Sequence, residues 1–262
     1  MSDTPLDVLA IAAHRDDVEQ TCGGTLLKAA QRGQRTGILD LTQGEMGTRG
    51  TADDRAREAA DAAKILGAGW RRALDIPDGR VENTWENRLK VASVIRETRP
   101  RVVILPYWQG RHPDHYTTSV LGYEACFLAG LAKLDPRQAL SLGSAHPAAD
   151  GHADPARPDQ DRPHRPFKII YATLYYDVRP TFVVDISQEF EQKFASIMAY
   201  KSQYNDQEAG KDLFPAHDEI HARVESMARY YGALGGVKYG EPFLQKEVGL
   251  VEDLLLIPVK SI

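Results

Sequence analysis

Several things are scarce in this 262-residue chain, and each absence removes a class of function. Cysteine occurs twice, at Cys22 and Cys126. The two form neither a CxxC pair nor a disulfide framework, and they read as small buried residues of a protein working in a reducing, cytoplasmic setting. No apolar run is long enough to cross a bilayer. The first apolar stretch, Leu6 to Ala13, follows residues with no Lys or Arg, so it reads as a first strand and not as a secretory signal. Basic excess is also missing: the net charge of −5 gives no electrostatic footprint for nucleic acid. There is no internal repeat. No G-x-G-x-x-G follows the first strand, where Asp16, Asp17 and Glu19 would repel phosphate, so a nucleotide-binding module is a poor reading.

What is present is a 42% hydrophobic chain with an alternating rhythm. Apolar runs at Leu6–Ala13, Arg35–Thr42, Trp70–Ile76 and 102–105 are separated by helical patterns at Glu19–Arg32, at about Asp54–Leu66, and through Trp85, Leu89, Ala92 and Ile95. Strands separated by helices in this order predict an α/β, Rossmann-like open sheet, mainly parallel, with helices on both faces. Lys168–Tyr176 and Phe182–Ile186 resume strand character. Two further helices carry Phe190, Phe194 and Ile197, then Ile220, Val224, Met227 and Tyr231 at helical spacing. The rhythm breaks at 135–166, where six prolines mark an insertion or flap within a single domain spanning 1–262. His146, His152 and His164 in that segment are too widely spaced for a local metal motif and read as solvated.

Two segments carry the chemistry. Ala13-His14-Arg15-Asp16-Asp17-Val18-Glu19 follows the first strand, and Arg111-His112-Pro113-Asp114-His115 follows the run ending at Leu105. In a doubly wound fold both lie beyond the carboxyl ends of strands, where ligands bind. Two histidines and an aspartate from neighbouring strand ends suit a divalent metal with a position left open for catalysis. Asp16 and Asp17 are adjacent, cannot point the same way, and can divide the tasks of ligand and general base. One histidine of the second segment can face a substrate carbonyl, with Asp114 raising its pKa. Two histidines and a carboxylate also suit a non-heme iron oxygenase, but the additional Asp16 and His112 have no task there.

At these residues the chain resembles the LmbE-like (PIG-L) deacetylases, whose signatures AHPDD-x-E and HPDH stand here as AHRDDVE at 13–19 and HPDH at 112–115. The resemblance implies metal ligands His14, Asp17 and His115, Asp16 as general base for the attacking water, and His112 as acid and oxyanion stabiliser tuned by Asp114. It implies Zn2+, with Fe2+ as the alternative, and a homo-oligomer, as large as a hexamer. The implied reaction is removal of acetyl from an N-acetylglucosaminyl conjugate. The stretch 42–50 resembles the family's second loop, whose arginine contacts substrate, while Asp78-Gly79, 182–185, 199–203 and 239–243 resemble the bacillithiol branch, which implies N-acetylglucosaminyl-malate as substrate. A mycothiol-type inositol conjugate is the neighbouring alternative. Arg49, and with it Arg111, are then expected to bind the malate carboxylates, since guanidinium pairs with carboxylate through two parallel hydrogen bonds. One departure stands out. Arg15 occupies a position usually held by proline, and it is expected to point outward to a surface carboxylate.

Overall fold

A computed structural model of the chain describes residues 5–135, 162–174, 177–204 and 217–259. Its centre is a seven-stranded sheet in the order β3-β2-β1-β4-β5-β7-β6. The strands are β1 Val8–Ala12, β2 Thr36–Asp40, β3 Trp70–Ala73, β4 Val102–Pro106, β5 Lys168–Ala172, β6 Phe182–Asp185 and β7 Gly240–Leu244. The first five run parallel, whereas β7 lies antiparallel between β5 and β6. This bears out the expected mainly parallel α/β sheet. The antiparallel wedge was not anticipated: Gly240-Glu241-Pro242-Phe243-Leu244 has little strand propensity, and stacking of Phe182 on Phe243 helps to hold it.

The central strands are apolar on both faces because both faces are covered. Leu9 and Ile11 of β1 pack with Val91, Val94 and Ile95 of α3 (Trp85–Thr98) and Leu121 and Ala125 of α4 (Pro113–Ala129). The alternate residues Ala10 and Ala12 pack with Val18, Leu26 and Leu27 of α1 (Asp17–Gln31) on the opposite face. The helices α2 (Ala52–Ile65), α5 (Phe190–Met198) and α6 (Lys201–Tyr204) extend that second layer, and α7 (His217–Gly235) covers β6 and β7. Local signals set the ends. Thr51 and Asp54 form a capping box at the start of α2. Buried Arg96 donates to the carbonyls of Ala129, Leu131 and Leu134, satisfying the C-terminal end of α4 and the turn after it.

Because β2 and β4 leave β1 on opposite sides, the sheet changes winding direction between β1 and β4. A crevice opens there above the strand ends, and both motif segments emerge into it. Most of the Pro-rich insertion, with His146 and His152, lies outside the described residues. Its last part is docked. His164, expected to be solvated, is half-buried with Nε2 2.7 Å from the carbonyl of Pro100.

One buried ion pair ties the antiparallel edge to the first helix. Glu241 accepts from the main-chain N–H groups of Gly24 and Thr25, from the Thr25 hydroxyl, and from Lys193 Nζ at 2.5 Å. Removing one partner of such a pair leaves a buried charge uncompensated. Glu241→Ala is therefore expected to lower the unfolding free energy by about 3–5 kcal/mol, read by urea denaturation. A Glu241→Leu/Lys193→Met double variant is expected to recover most of it.

Candidate active site

His14 leaves the end of β1 with both ring nitrogens engaged. Its Nδ1 lies 3.2 Å from His115 Nε2 and 3.4 Å from Asp17 Oδ2, and His115 Nε2 lies 3.2 Å from Asp17 Oδ1. Asp17 thus faces the two imidazole nitrogens with different oxygens, Oδ2 toward His14 and Oδ1 toward His115, and the three side chains bound a triangle. Ligand bonds of about 2.0–2.1 Å in a tetrahedral zinc site place donors roughly 3.3–3.4 Å apart, close to the separation of the two imidazole nitrogens. Among the described residues, the sets whose single donor atoms all lie within 4.8 Å of one another are His14, His112 and His115, and His14, Asp78 and Asp114. The ring of His112 stands 4.7 Å from that of His14 and stacks on His115 at 4.9 Å, and its donor atoms fall within 4.8 Å of theirs. Four of the motif residues, His14, Asp17, His112 and His115, are therefore gathered at one place.

The far side of His14 shows what fixes the ring. Its Nε2 lies 3.1 Å from Asp78 Oδ1 and 3.2 Å from Asp114 Oδ2. Asp114 is itself held by the backbone N–H groups of Gly79 and Val81, and Asp78 by that of Met46. Carboxylates that accept the distal N–H of a histidine direct its other nitrogen, as a lone pair, toward a cation. Burial opposes charge on His14, but its bonds to Asp114, Asp17 and Asp78 outweigh this and push it up to about 12. Three carboxylates around one imidazole make a place that demands positive charge. The donor set fits a divalent metal.

Asp114 thus differs from its expected role. Its carboxylate is on His14; toward His112 it offers its backbone N–H, donated to His112 Nδ1 at 3.2 Å, with His112 as the N-cap of α4. Nor is His112 raised: burial, then the neighbouring His14 and His115 charges, hold it below the usual histidine value. Accepting at Nδ1 leaves Nε2 carrying the proton of the neutral ring, a donor at the mouth of the crevice.

Asp16 sits at φ 101°, a left-handed conformation that a non-glycine residue adopts at a cost of about 1–3 kcal/mol. The twist turns its carboxylate away from Asp17 and toward Arg55 Nη2 at 3.0 Å, Gln20 Nε2 at 3.2 Å and the Tyr204 hydroxyl at 3.5 Å. Burial, against Arg55 and with Asp17 and Glu19, lifts its pKa to about 7, the range a general base needs near neutrality. Arg55 passes beneath the Gly-rich loop, where a Cβ on Gly44 (φ 74°) would approach the guanidinium to 3.1 Å.

Three arginines need correction or placement. Arg15 does not point outward: it is 9% exposed, and its Nη1 donates to the carbonyl of Ala52 at 2.8 Å, while its own carbonyl accepts from Arg55. Arg49 is 5% exposed and donates to the carbonyl of Gln203 at 2.6 Å, with the Gln203 amide donating back to the Arg49 carbonyl. These bonds brace the loop against α6. Arg111 lies exposed beside His112 at the crevice mouth. Asp78, Arg55, Gln20 and Tyr204 were not anticipated as site residues. Asp78 entered only through the Asp78-Gly79 resemblance, with no role attached, and Arg55 lies in an Ala-rich helix with nothing local to mark it. A cleft adjoins Asp17 and His115, reaching Thr21, Tyr107 and Gln109.

The family described as PIG-L, GlcNAc-PI de-N-acetylase, matches residues 9–126, which include every residue of the two motifs. A diacetylchitobiose deacetylase of Thermococcus kodakarensis is 31% identical over 245 residues, 89% of this chain and 80% of its own. This chain belongs to the PIG-L de-N-acetylase family. Among solved structures it is similar to the conserved protein TT1542 of Thermus thermophilus, with a TM-score of 0.76, 36% identity and coverage of 94% of this chain and 98% of that one. It is also similar to the N,N'-diacetylchitobiose deacetylase of Pyrococcus horikoshii, with a TM-score of 0.72, 26% identity and coverage of 90% and 82%.

Metal binding separates the two triangles of donors available here. The purified chain is expected to bind one divalent ion, measured by metal analysis and by calorimetry with Zn2+. Asp17→Ala and His115→Ala should abolish binding, whereas His112→Ala should retain it. Asp78→Asn should weaken it by about 10–100-fold, the usual effect of losing a carboxylate behind a ligating histidine. Loss of binding in His112→Ala with retention in Asp17→Ala would assign the third ligand to His112.

Proposed function

We propose that this deacetylase hydrolyses the acetamide of an N-acetylglucosaminyl conjugate, with N-acetylglucosaminyl-malate as the first candidate substrate. The observation that carries the reaction type is the pairing of Asp16, a buried carboxylate lifted toward neutrality, with the three-donor triangle beside it. His14, Asp17 and His115 would hold Zn2+, or Fe2+ in its place. The ion, when bound, supplies Lewis acidity and makes water more acidic.

The remaining tasks fall to side chains. Asp16 accepts the proton of the attacking water, whose oxygen forms a bond to the acetyl carbonyl carbon. His112 donates from Nε2 to the oxygen that gains charge, the kind of preorganised stabilisation that dominates acyl transfer. His112, expected to act as the acid too, is held below the usual histidine value and keeps the oxyanion task, so when the C–N bond breaks the departing nitrogen takes up the proton collected by Asp16, and acetate and the free amine leave. Asp114 and Asp78 hold His14 in position throughout. Arg55, Gln20 and Tyr204 hold Asp16 in its left-handed turn.

The choice of malate rests on the sequence stretches at 182–185, 199–203 and 239–243 and on Arg49 and Arg111 as partners for its carboxylates. Amine release should be compared for N-acetylglucosaminyl-malate, the inositol conjugate, N,N'-diacetylchitobiose and free N-acetylglucosamine. The malate conjugate is expected to give the highest kcat/KM, and Arg111→Ala should raise KM for it alone. Rapid turnover of another conjugate with none of the malate compound would remove malate and leave the deacetylase. For the chemistry itself, Asp16→Asn is expected to lower kcat by about 10²–10⁴-fold, the range for loss of a general base, with metal content unchanged. Full activity in Asp16→Asn would refute the assignment of the base.

A further inference from the structure

The helix α4 is apolar on its buried side and apolar again on its outer side. Tyr116, Val120, Tyr123 and Phe127 follow one another at steps of four, three and four, the spacing of one helical face, and each is 39–54% exposed. A surface helix of a self-sufficient monomer carries charged or polar residues there. Phe167, 79% exposed beside Arg165 and Lys168, prolongs the same surface past the end of the helix. Contiguous apolar surface of this kind marks an interaction site more often than a bare exterior.

A second apolar element leaves the body right next to it. Lys246 is anchored with Nζ 4.7–4.8 Å from the ring centres of Tyr123, Trp108 and Tyr171, and so roots the C-terminal segment on the α4 face. Beyond this root the segment is exposed throughout. Val248, Leu250, Leu254, Leu255 and Leu256 are 73–97% exposed, the last three in a 3-10 turn capped by Asp253. No water-soluble segment gains by holding five large apolar side chains in solvent. The charges on the two elements are opposite. The arm carries Glu247, Glu252 and Asp253, while Arg165 lies over the Phe127 ring at 5.0 Å with Lys168 and Arg101 exposed nearby. Length is sufficient as well. The fourteen residues from Lys246 to Val259 reach up to about 45 Å when extended, against roughly 25 Å for the length of α4.

We propose that the C-terminal arm, residues 246–259, covers the Tyr116–Phe127 face of α4 in a second copy of this chain. Root and receiving face lie side by side on one protomer. A two-fold axis near Tyr123 therefore brings each arm onto the other's helix, and the exchange closes as an isologous dimer. Larger assemblies would be built from that unit. Because Tyr116 directly follows His115, the interface borders the mouth of the active site.

Sedimentation of the 262-residue chain tests this. The wild type is expected to sediment as a dimer or a multiple of one at micromolar concentration. Phe127→Asp on the face and Leu255→Asp on the arm should each weaken association by about a hundredfold, with circular dichroism and melting unchanged. Both residues are largely exposed, so neither change disturbs the core. Mixing a Val120→Cys chain with a Leu250→Cys chain under oxidation should yield a disulfide between the two chains. A wild type that sediments as a monomer would overturn the proposal, as would an assembly that survives both aspartate substitutions. A double-cysteine variant, Val120→Cys/Leu250→Cys, that closes only within single chains would show the arm lying on its own helix and would overturn it as well.

Discussion

At the ends of β1 and β4 the protein gathers Asp17, Asp78 and Asp114 around a single imidazole, with Asp16 next to them. Carboxylates packed this closely repel one another, and burial raises the cost of each charge. Some positive charge must therefore occupy the same space. His14 carries part of it, which is why its proton is held so strongly, and Arg55 carries another part beside Asp16. A divalent ion held, as proposed, by His14, Asp17 and His115 would meet the remaining demand and let His14 act as a neutral ligand. Much of the surrounding architecture follows from keeping these groups from separating.

The supporting layer is polar and buried, and it is extensively but not completely paired: one oxygen of Glu19 and Nε of Arg55 find no partner among the described residues. Glu19, two residues along α1 from Asp17, accepts from Arg71 at 2.6 Å and from the Tyr200 hydroxyl at 3.1 Å. Arg71 grips Asp40 at the end of β2 with two further bonds, and its charge is strongly stabilised there against burial. One guanidinium from β3 thereby ties the first turn of α1, the end of β2 and the segment before α6 into one unit. The same segment supplies Gln203, which holds Arg49, and Tyr204, which reaches Asp16. Asp78 closes the other side. It bonds His14 with one oxygen and the loop N–H of Met46 with the other, so the Gly-rich loop and His14 are held together.

Legibility followed the range of each interaction. The parallel strands were readable because double burial forces apolar runs, as in Val102-Val103-Ile104-Leu105. The motif residues were readable because catalysis requires particular side chains at short spacing after a strand. Partners brought in from distant segments were not. Arg55 is 39 residues from Asp16, and nothing in its helix distinguishes it from Arg57, which is exposed. The orientation of Asp114 was hidden for a related reason. Its neighbour in sequence is His112, but the α4 cap turns its backbone toward that ring and its carboxylate toward His14. The strand β7 was masked by Gly240 and Pro242, whose pairing depends on β5 and β6 being already in place.

Arg15 shows how a motif can change a residue and keep its geometry. What the structure uses at this position is the main-chain carbonyl, which accepts from Arg55 and so joins the turn to the guanidinium that holds Asp16. Proline and arginine both have that carbonyl. Proline would add rigidity in φ, whereas Arg15 adds a bond from its own guanidinium to the carbonyl of Ala52 at the start of α2. Both devices limit the freedom of the turn, one through its ring and the other through a tether. The strained conformation at Asp16 is the part that cannot vary so easily, because it alone points two adjacent aspartates at different partners. The tether fixes the residue immediately before it.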